Sequence, residues 1–90
     1  MVILKKSKIM ILEIEYWKYD VSPLLMGKTE SIDQLRRDLE SVETLCDPET
    51  DNFISLFCRM FQWEVINSDE PSDYIYDRDV RRLIKCKYDE

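Results

Sequence analysis

The chain has 90 residues, 44% of them apolar and 36% charged, with 13 basic and 19 acidic side chains and a net charge of −6. This composition is typical of one small folded domain and excludes a collagen-like or low-complexity chain. Because the sequence contains no histidine, Ser-His-Asp and Cys-His nucleophilic sites and histidine-containing zinc sites are excluded as well.

The negative charge is concentrated in the middle of the chain. Residues 20–70 contain twelve acidic and four basic side chains, whereas residues 1–19 have a net charge of +2 and residues 71–90 are balanced. Such an acidic surface disfavours nonspecific binding to nucleic acid or anionic lipid. It favours basic partners instead.

The three cysteines, Cys46, Cys58 and Cys86, are widely spaced and form no CxxC motif. An odd number of thiols beside apolar residues is typical of free cysteines in a reducing compartment. Apolar runs do not exceed four residues, whereas a membrane-spanning helix needs roughly 20. We therefore predict a cytoplasmic protein with no membrane partner, no cofactor and no metal ion.

Alternating hydrophobicity predicts a β-strand from Lys8 to Tyr19. The even positions from Met10 to Ile14 are apolar and the odd positions are mixed, as expected for a strand with one side on a core. Val2 to Leu4 would form a short partner strand in a hairpin. The alternatives are one long strand, or a frayed leader over residues 1–8.

Residues 20–30 are predicted to be a connection, because they contain Pro23 and the only glycine of the chain, Gly27. A sole glycine at a bend most simply supplies a positive φ angle. We therefore expect Gly27 to mark a turn between the first strand and the first helix.

The first helix is predicted to begin at Ser31. Ser31 and Gln34 have the spacing of a capping box, in which the serine hydroxyl accepts a hydrogen bond from the backbone three residues later. The apolar residues that follow recur along one side of a helix; they are Ile32, Leu35, Leu39, Val42 and Leu45.

A second helix is predicted from Asp47, because Asp47 can cap it and Pro48 suits its first position. Between Phe53 and Trp63 the polar residues form only a narrow stripe. A helix that is apolar around most of its circumference lies in the middle of a core, or has a second face that a partner covers.

Short strands are expected at residues 64–66 and 74–76. The segment from Asp77 to Lys87 is predicted to be a third helix, because Val80, Leu83 and Ile84 share a helix face and charges of the favourable sign lie at both ends. The predicted fold is a single α+β domain over residues 1–90, with an N-terminal strand or hairpin followed by three helices.

The candidate binding surface lies on the odd face of the first strand and consists of Glu13, Glu15, Trp17 and Tyr19. It combines two carboxylates with large rigid aromatic rings, which are enriched among interface hot spots. The alternative is that a helix of the same domain covers these rings. Two carboxylates without a third ligand are weak support for a metal or an acid–base site.

Two other surfaces are alternatives. A basic cluster on the predicted third helix would bind nucleic acid or pair with the acidic region; it comprises Arg78, Arg81, Arg82 and Lys85. An array of carboxylates would mimic nucleic acid, although Arg36 and Arg37 interrupt it. Its members are Asp33, Asp38, Glu40, Glu43, Asp47, Glu49 and Asp51.

These observations favour a non-enzymatic protein–protein interaction module, a small acidic accessory or inhibitor-type protein such as bacterial and phage genomes encode. Docking would use the aromatic and acidic strand face, or β-addition at the edge of the first strand, which would also permit a homodimer. A nucleic-acid-binding regulator is the competing class.

Overall fold

The structure, a computed structural model, describes residues 8–15, 22–67, 69–77 and 82–85, with the backbone alone for residues 51 and 82. The described residues form a five-stranded sheet and two α-helices, which confirms the α+β class. In chain order the elements are β1 (Lys8–Glu15), β2 (Leu24–Thr29), α1 (Ile32–Glu43), α2 (Asp51–Phe61), β3 (Glu64–Ile66), β4 (Tyr74–Asp77) and β5 (Arg82–Lys85).

β1 is the central strand of the described sheet, whose strand order is β3-β2-β1-β4-β5. It is parallel to β4 and antiparallel to β2, and the outer pairs β2–β3 and β4–β5 are antiparallel. From Leu12 to Ile14 it has hydrogen-bonded neighbours on both sides. The expectation that the first strand has a free edge is therefore wrong for this part of β1, and the edge strands of the described sheet are β3 and β5.

The alternation predicted for the first strand is confirmed over residues 8–15. Leu12 and Ile14 are completely buried and Met10 packs against the same core, whereas Glu15 is exposed. The predicted hairpin strand at Val2–Leu4 and the predicted end of the strand at residues 16–19 lie outside the described residues.

β2 contradicts the prediction of a connection at residues 20–30. Gly27 lies within this strand, opposite Met10 of β1, and its φ angle is not positive. The indole ring of Trp63 lies directly against the Gly27 backbone, where a Cβ atom would overlap it. Gly27 is thus required for the close approach of a side chain rather than for a turn.

α1 confirms the predicted first helix. Ser31 is the N-cap residue in an extended conformation, and its Oγ accepts a hydrogen bond of 3.1 Å from the Gln34 backbone N–H. Leu35, Leu39 and Val42 are buried. Local capping and apolar periodicity therefore predicted the start and most of the buried side of this helix, whereas Leu45, the last residue of the predicted stripe, lies beyond the helix and is exposed.

α2 is confirmed as a helix, but its predicted start at Asp47 is wrong. Asp47 instead closes a turn, in which its Oδ1 accepts a hydrogen bond from Glu49 N–H and its carbonyl accepts one from Thr50 N–H. Thr50 is the N-cap residue, and the helix begins at residue 51. An aspartate side chain that accepts a backbone hydrogen bond can cap a helix or stabilise an Asx turn, and Asp47 stabilises a turn.

Both helices contribute to one core on the same side of the sheet. The register of the strands places Leu12, Leu25 and Tyr76 on the side that packs against the two helices. α2 contributes the completely buried rings of Phe53 and Phe57. The remaining core residues that pack with them are Ile14, Leu35, Leu39, Val42 and Trp63.

Trp63 joins this core because the chain reverses at Gln62. Gln62 caps α2 in the left-handed conformation, with a φ angle of 61°. This turn directs Trp63 back onto β2, where its ring centroid is 5.4 Å from that of Phe57. β3 then continues beside β2, as the short strand predicted at residues 64–66.

The predicted third helix from Asp77 to Lys87 is wrong within the described residues. β4 (Tyr74–Asp77) confirms the short strand predicted at residues 74–76, and Arg82–Lys85, within the predicted helix, is instead the strand β5, antiparallel to β4. Leu83 packs against the core, whereas its neighbour Ile84 lies on the opposite face of the strand. Adjacent apolar residues fit one face of a helix, but a sheet that is apolar on both faces accommodates them as well.

The contact between Gly27 and Trp63 predicts a specific cost for adding one methyl group. Gly27→Ala should lower the free energy of unfolding by about 1–3 kcal/mol, because the new Cβ overlaps a well-packed ring. Urea denaturation measures this change. In a Trp63→Leu background the same substitution should cost much less, and equal costs in both backgrounds would contradict the described contact.

Removal of the Tyr76 hydroxyl group, in contrast, should not destabilise the protein. Tyr76 is 2% exposed, and its Oη has no hydrogen-bond partner among the described residues. Because an unsatisfied buried hydroxyl gains nothing from folding, Tyr76→Phe should leave the melting temperature unchanged or raise it. A loss of about 1 kcal/mol or more would show that the hydroxyl donates to a partner.

Candidate functional site

No described helix covers the second face of the sheet, which we define as the face opposite α1 and α2. The odd positions of β1 lie on this face, because successive residues of a strand alternate between its two sides. Ile9, Ile11, Glu13 and Glu15 therefore lie opposite the core residues Leu12 and Ile14.

One row of side chains crosses the whole described sheet on the second face. Cα pairing aligns Glu13 with Leu24 on β2 and with Ile75 on β4. The pairing continues to Ile66 on β3 and to Ile84 on β5. This cross-sheet row thus has four aliphatic residues around a central glutamate, and all five members are partly exposed.

Residues 69–73, which we call the crossing segment, lead into β4 beside this row. Near its end, Ser72 Oγ is 3.5 Å from Glu13 Oε1, a long distance for a hydrogen bond. Residues 69–73 therefore lie on the side of the sheet opposite the helices.

Asp73 anchors this crossing segment to β1. Its Oδ2 accepts a hydrogen bond of 2.9 Å from the Ile11 backbone N–H, and its own N–H donates to the Ile11 carbonyl at 2.7 Å. Ser72, which precedes it, is only 4% exposed. Ile11 is 9% exposed although it is outside the helix-side core cluster, as expected if the crossing segment covers it.

An open groove of about 770 Å³ adjoins the first residues of β1. β4 begins only opposite Leu12, so no described strand pairs with Ile9 on that side. Ile9 is 65% exposed, and Lys8 and Lys85 lie at the rim together with Glu70. The free edge predicted for the first strand is thus confined to its beginning.

The structure brings only part of the predicted binding surface into view. Glu13 and Glu15 lie on the second face, as predicted, with Glu13 half-buried and Glu15 exposed. Trp17 and Tyr19 lie outside the described residues, so their place in the surface stays a prediction. No three cysteine or acidic side chains in the described ranges converge to hold a metal ion.

The described residues of the predicted basic cluster do not lie on a helix. Arg78 and Arg81 lie outside the described residues, and Arg82 and Lys85 belong to β5 rather than to a helix. Residues three apart share a face of a helix but not a face of a strand. The backbone of Arg82 is paired with Asp77, and Lys85 is exposed.

The predicted acidic array is interrupted by pairing and capping. Asp33 forms an exposed ion pair with Arg36 at 3.6 Å, and Asp38 accepts a hydrogen bond of 2.7 Å from the Gln34 side chain. Partial burial raises the pKa of the Asp38 carboxyl, although the Gln34 hydrogen bond opposes this effect. Asp47 is used in the turn before α2.

The thiol of Cys58 on α2 is half-buried. Burial raises the pKa of its thiol above the usual value, whereas a reactive cysteine needs a lowered pKa.

Sequence reasoning missed the members of the row outside β1. Leu24 was assigned to a connection, and Ile84 was assigned to the buried face of a helix. The signal for the row is the pair of apolar runs at residues 24–26 and 83–84, which are typical of strands that are apolar on both faces.

The chain matches no known family model, no curated protein and no solved structure. Neither described helix is long and apolar enough to span a membrane.

The exposure of the cross-sheet row predicts an asymmetry between the two faces of the sheet. Ile84→Thr retains a β-branched side chain and should cost less than about 1 kcal/mol of unfolding free energy. Leu25→Ala on the helix side should cost about 2–5 kcal/mol, because Leu25 is completely buried. Chemical denaturation compares the two variants, and equal losses would show that the row is as buried as the core.

Proposed function

We propose that this protein is a non-enzymatic protein–protein interaction module that docks through the second face of its sheet. The observation that supports this most strongly is the cross-sheet row, in which four aliphatic residues remain partly exposed beside Glu13. Contiguous apolar surface of this kind on a small protein is typical of interaction sites.

The second face is the size of a small interface. At ~3.3 Å per residue and ~4.8 Å between strands, the described strands form a flat area of roughly 400 Å², and residues 69–73 cover the part of it around Ile11. The remaining area is smaller than the ~800 Å² per partner that is typical of a standard interface. Glu15 and the predicted Trp17 and Tyr19 would extend this area along β1.

Addition of a strand at an edge of the sheet is a second way in which this domain could bind a partner. The described sheet ends at β3 and β5, and Ile9 adjoins the open groove without a described partner strand. An extended peptide could pair with one of these edges. β3 has only three residues, and short edge strands are poor templates for pairing, so the face is the stronger candidate.

Nucleic-acid binding has less support than docking on a protein. Its proposed helix is replaced by β4 and β5, and the net charge of −6 opposes phosphate contacts. A nucleic-acid mimic needs an unbroken array of carboxylates, whereas Arg36 pairs with Asp33 within the array.

A pair of matched variants tests docking through the second face. Ile84→Asp places a charge in the row, and Leu45→Asp places one at an exposed leucine outside the sheet, where Leu45 is 65% exposed. Circular dichroism first establishes that both variants are folded. Affinity capture from the native host should then retain a protein on the wild type and on Leu45→Asp. Ile84→Asp should lose it about tenfold or more, as expected for a hot spot.

The same capture with Trp17→Ala/Tyr19→Ala tests whether these rings belong to the surface. An equal set of captured proteins for wild type and folded Ile84→Asp would contradict docking through this face. Retention of nucleic acid at low salt that is lost on reversing the charges of Arg81 and Arg82 would instead support the competing class.

A further inference from the structure

We infer that the partner docks a basic side chain onto Glu13, between apolar groups that contact Leu24 on one side and Ile75 on the other. This inference rests on docking through the second face, and it specifies the chemistry of the partner. It follows from the position of Glu13 at the centre of an otherwise aliphatic row.

A partner that covers the row also covers the Glu13 carboxylate. Glu13 is already half-buried, and its described polar contact is the long one to Ser72 Oγ at 3.5 Å. A carboxylate that loses its water needs a charged or strong hydrogen-bond donor in exchange. An apolar partner surface would fit the four aliphatic residues of the row but would leave this charge without compensation.

A second copy of the chain fits this requirement poorly. Beside Glu13 on the second face lies a further exposed carboxylate, Glu15, so two copies that met at this part of the face would bring like charges together. Lys28 lies at the opposite end of the face, beside Ile9. The crossing segment at residues 69–73 also stands between these ends and prevents two flat sheets from meeting.

An arginine meets the geometric requirement better than a lysine. Leu24 and Ile75 lie on the strands next to β1, about 4.8 Å to either side of Glu13. A guanidinium is planar, weakly hydrated and able to form two parallel hydrogen bonds to a carboxylate, so it tolerates apolar neighbours. The expected partner segment therefore presents an arginine, or a lysine, flanked by aliphatic or aromatic side chains.

Selection from a displayed library of random peptides tests this chemistry directly. Peptides are selected on the wild-type protein, and their binding is then measured on folded Glu13→Gln and Glu13→Lys variants. The control is Glu40→Lys, which reverses an exposed charge on α1. Peptides that depend on the second face should contain a basic residue beside apolar ones.

Removing the charge in Glu13→Gln should weaken the binding of these peptides about tenfold, and reversing it in Glu13→Lys should weaken their binding about a hundredfold. These changes are those expected for a hydrogen bond to a charged group. Glu40→Lys should bind as the wild type does. Replacing the basic residue of the peptide with glutamate should restore binding to Glu13→Lys.

Ile84→Asp separates failure of this inference from failure of the proposed function. Peptides that lose binding to Ile84→Asp but contain no basic residue, or are insensitive to Glu13→Gln, would overturn the inference and leave docking through the face intact. If every selected peptide binds Ile84→Asp as tightly as the wild type, both fail. A wild-type dimer in light scattering that Ile84→Asp converts to a monomer would also overturn the inference.

Discussion

The burial of Leu12 and Ile14 beneath the two helices is the constraint on which the rest of the sheet depends. Shifting a strand by one residue would exchange its faces, so this burial fixes the orientation of β1. β1 is central, and each neighbouring strand takes its register from it directly or through one other strand. With Leu12 facing the core, Glu13 and its neighbours Leu24 and Ile75 must lie on the second face.

The contact between Trp63 and Gly27 determines the position of Ile66, the last member of the row on the β3 side. Gln62 turns the chain after α2, and Trp63 packs on the Gly27 backbone where no larger residue would fit. This close approach holds β3 against β2, which places Ile66 beside Leu24. The same contact that completes the core on one side of the sheet therefore completes the aliphatic row on the other.

Elements with local sequence signals were predicted correctly. The predictions failed where pairing between residues that are distant in the chain determines the structure. The Ser31 cap and the alternation from residue 8 to 15 predicted α1 and β1. Gly27 appeared to need a turn, because the ring that packs on it is distant in the chain. Residues 82–85 resembled a helix, since Leu83 and Ile84 suit a helix face until β4 pairs with them. The placement of Glu13 opposite the core was predictable, whereas the aliphatic residues around it depend on strand order.

The cross-sheet row is partly exposed in the free protein, and docking through the second face would cover it. Methyl NMR with a soluble paramagnetic probe measures this exposure directly. Docking through the second face predicts clear broadening of the Ile75 and Ile84 methyl signals, little effect on Leu12 and Ile14, and protection of the row in a complex. Row methyl groups as protected as those of Leu12 and Ile14 in the free protein would contradict it.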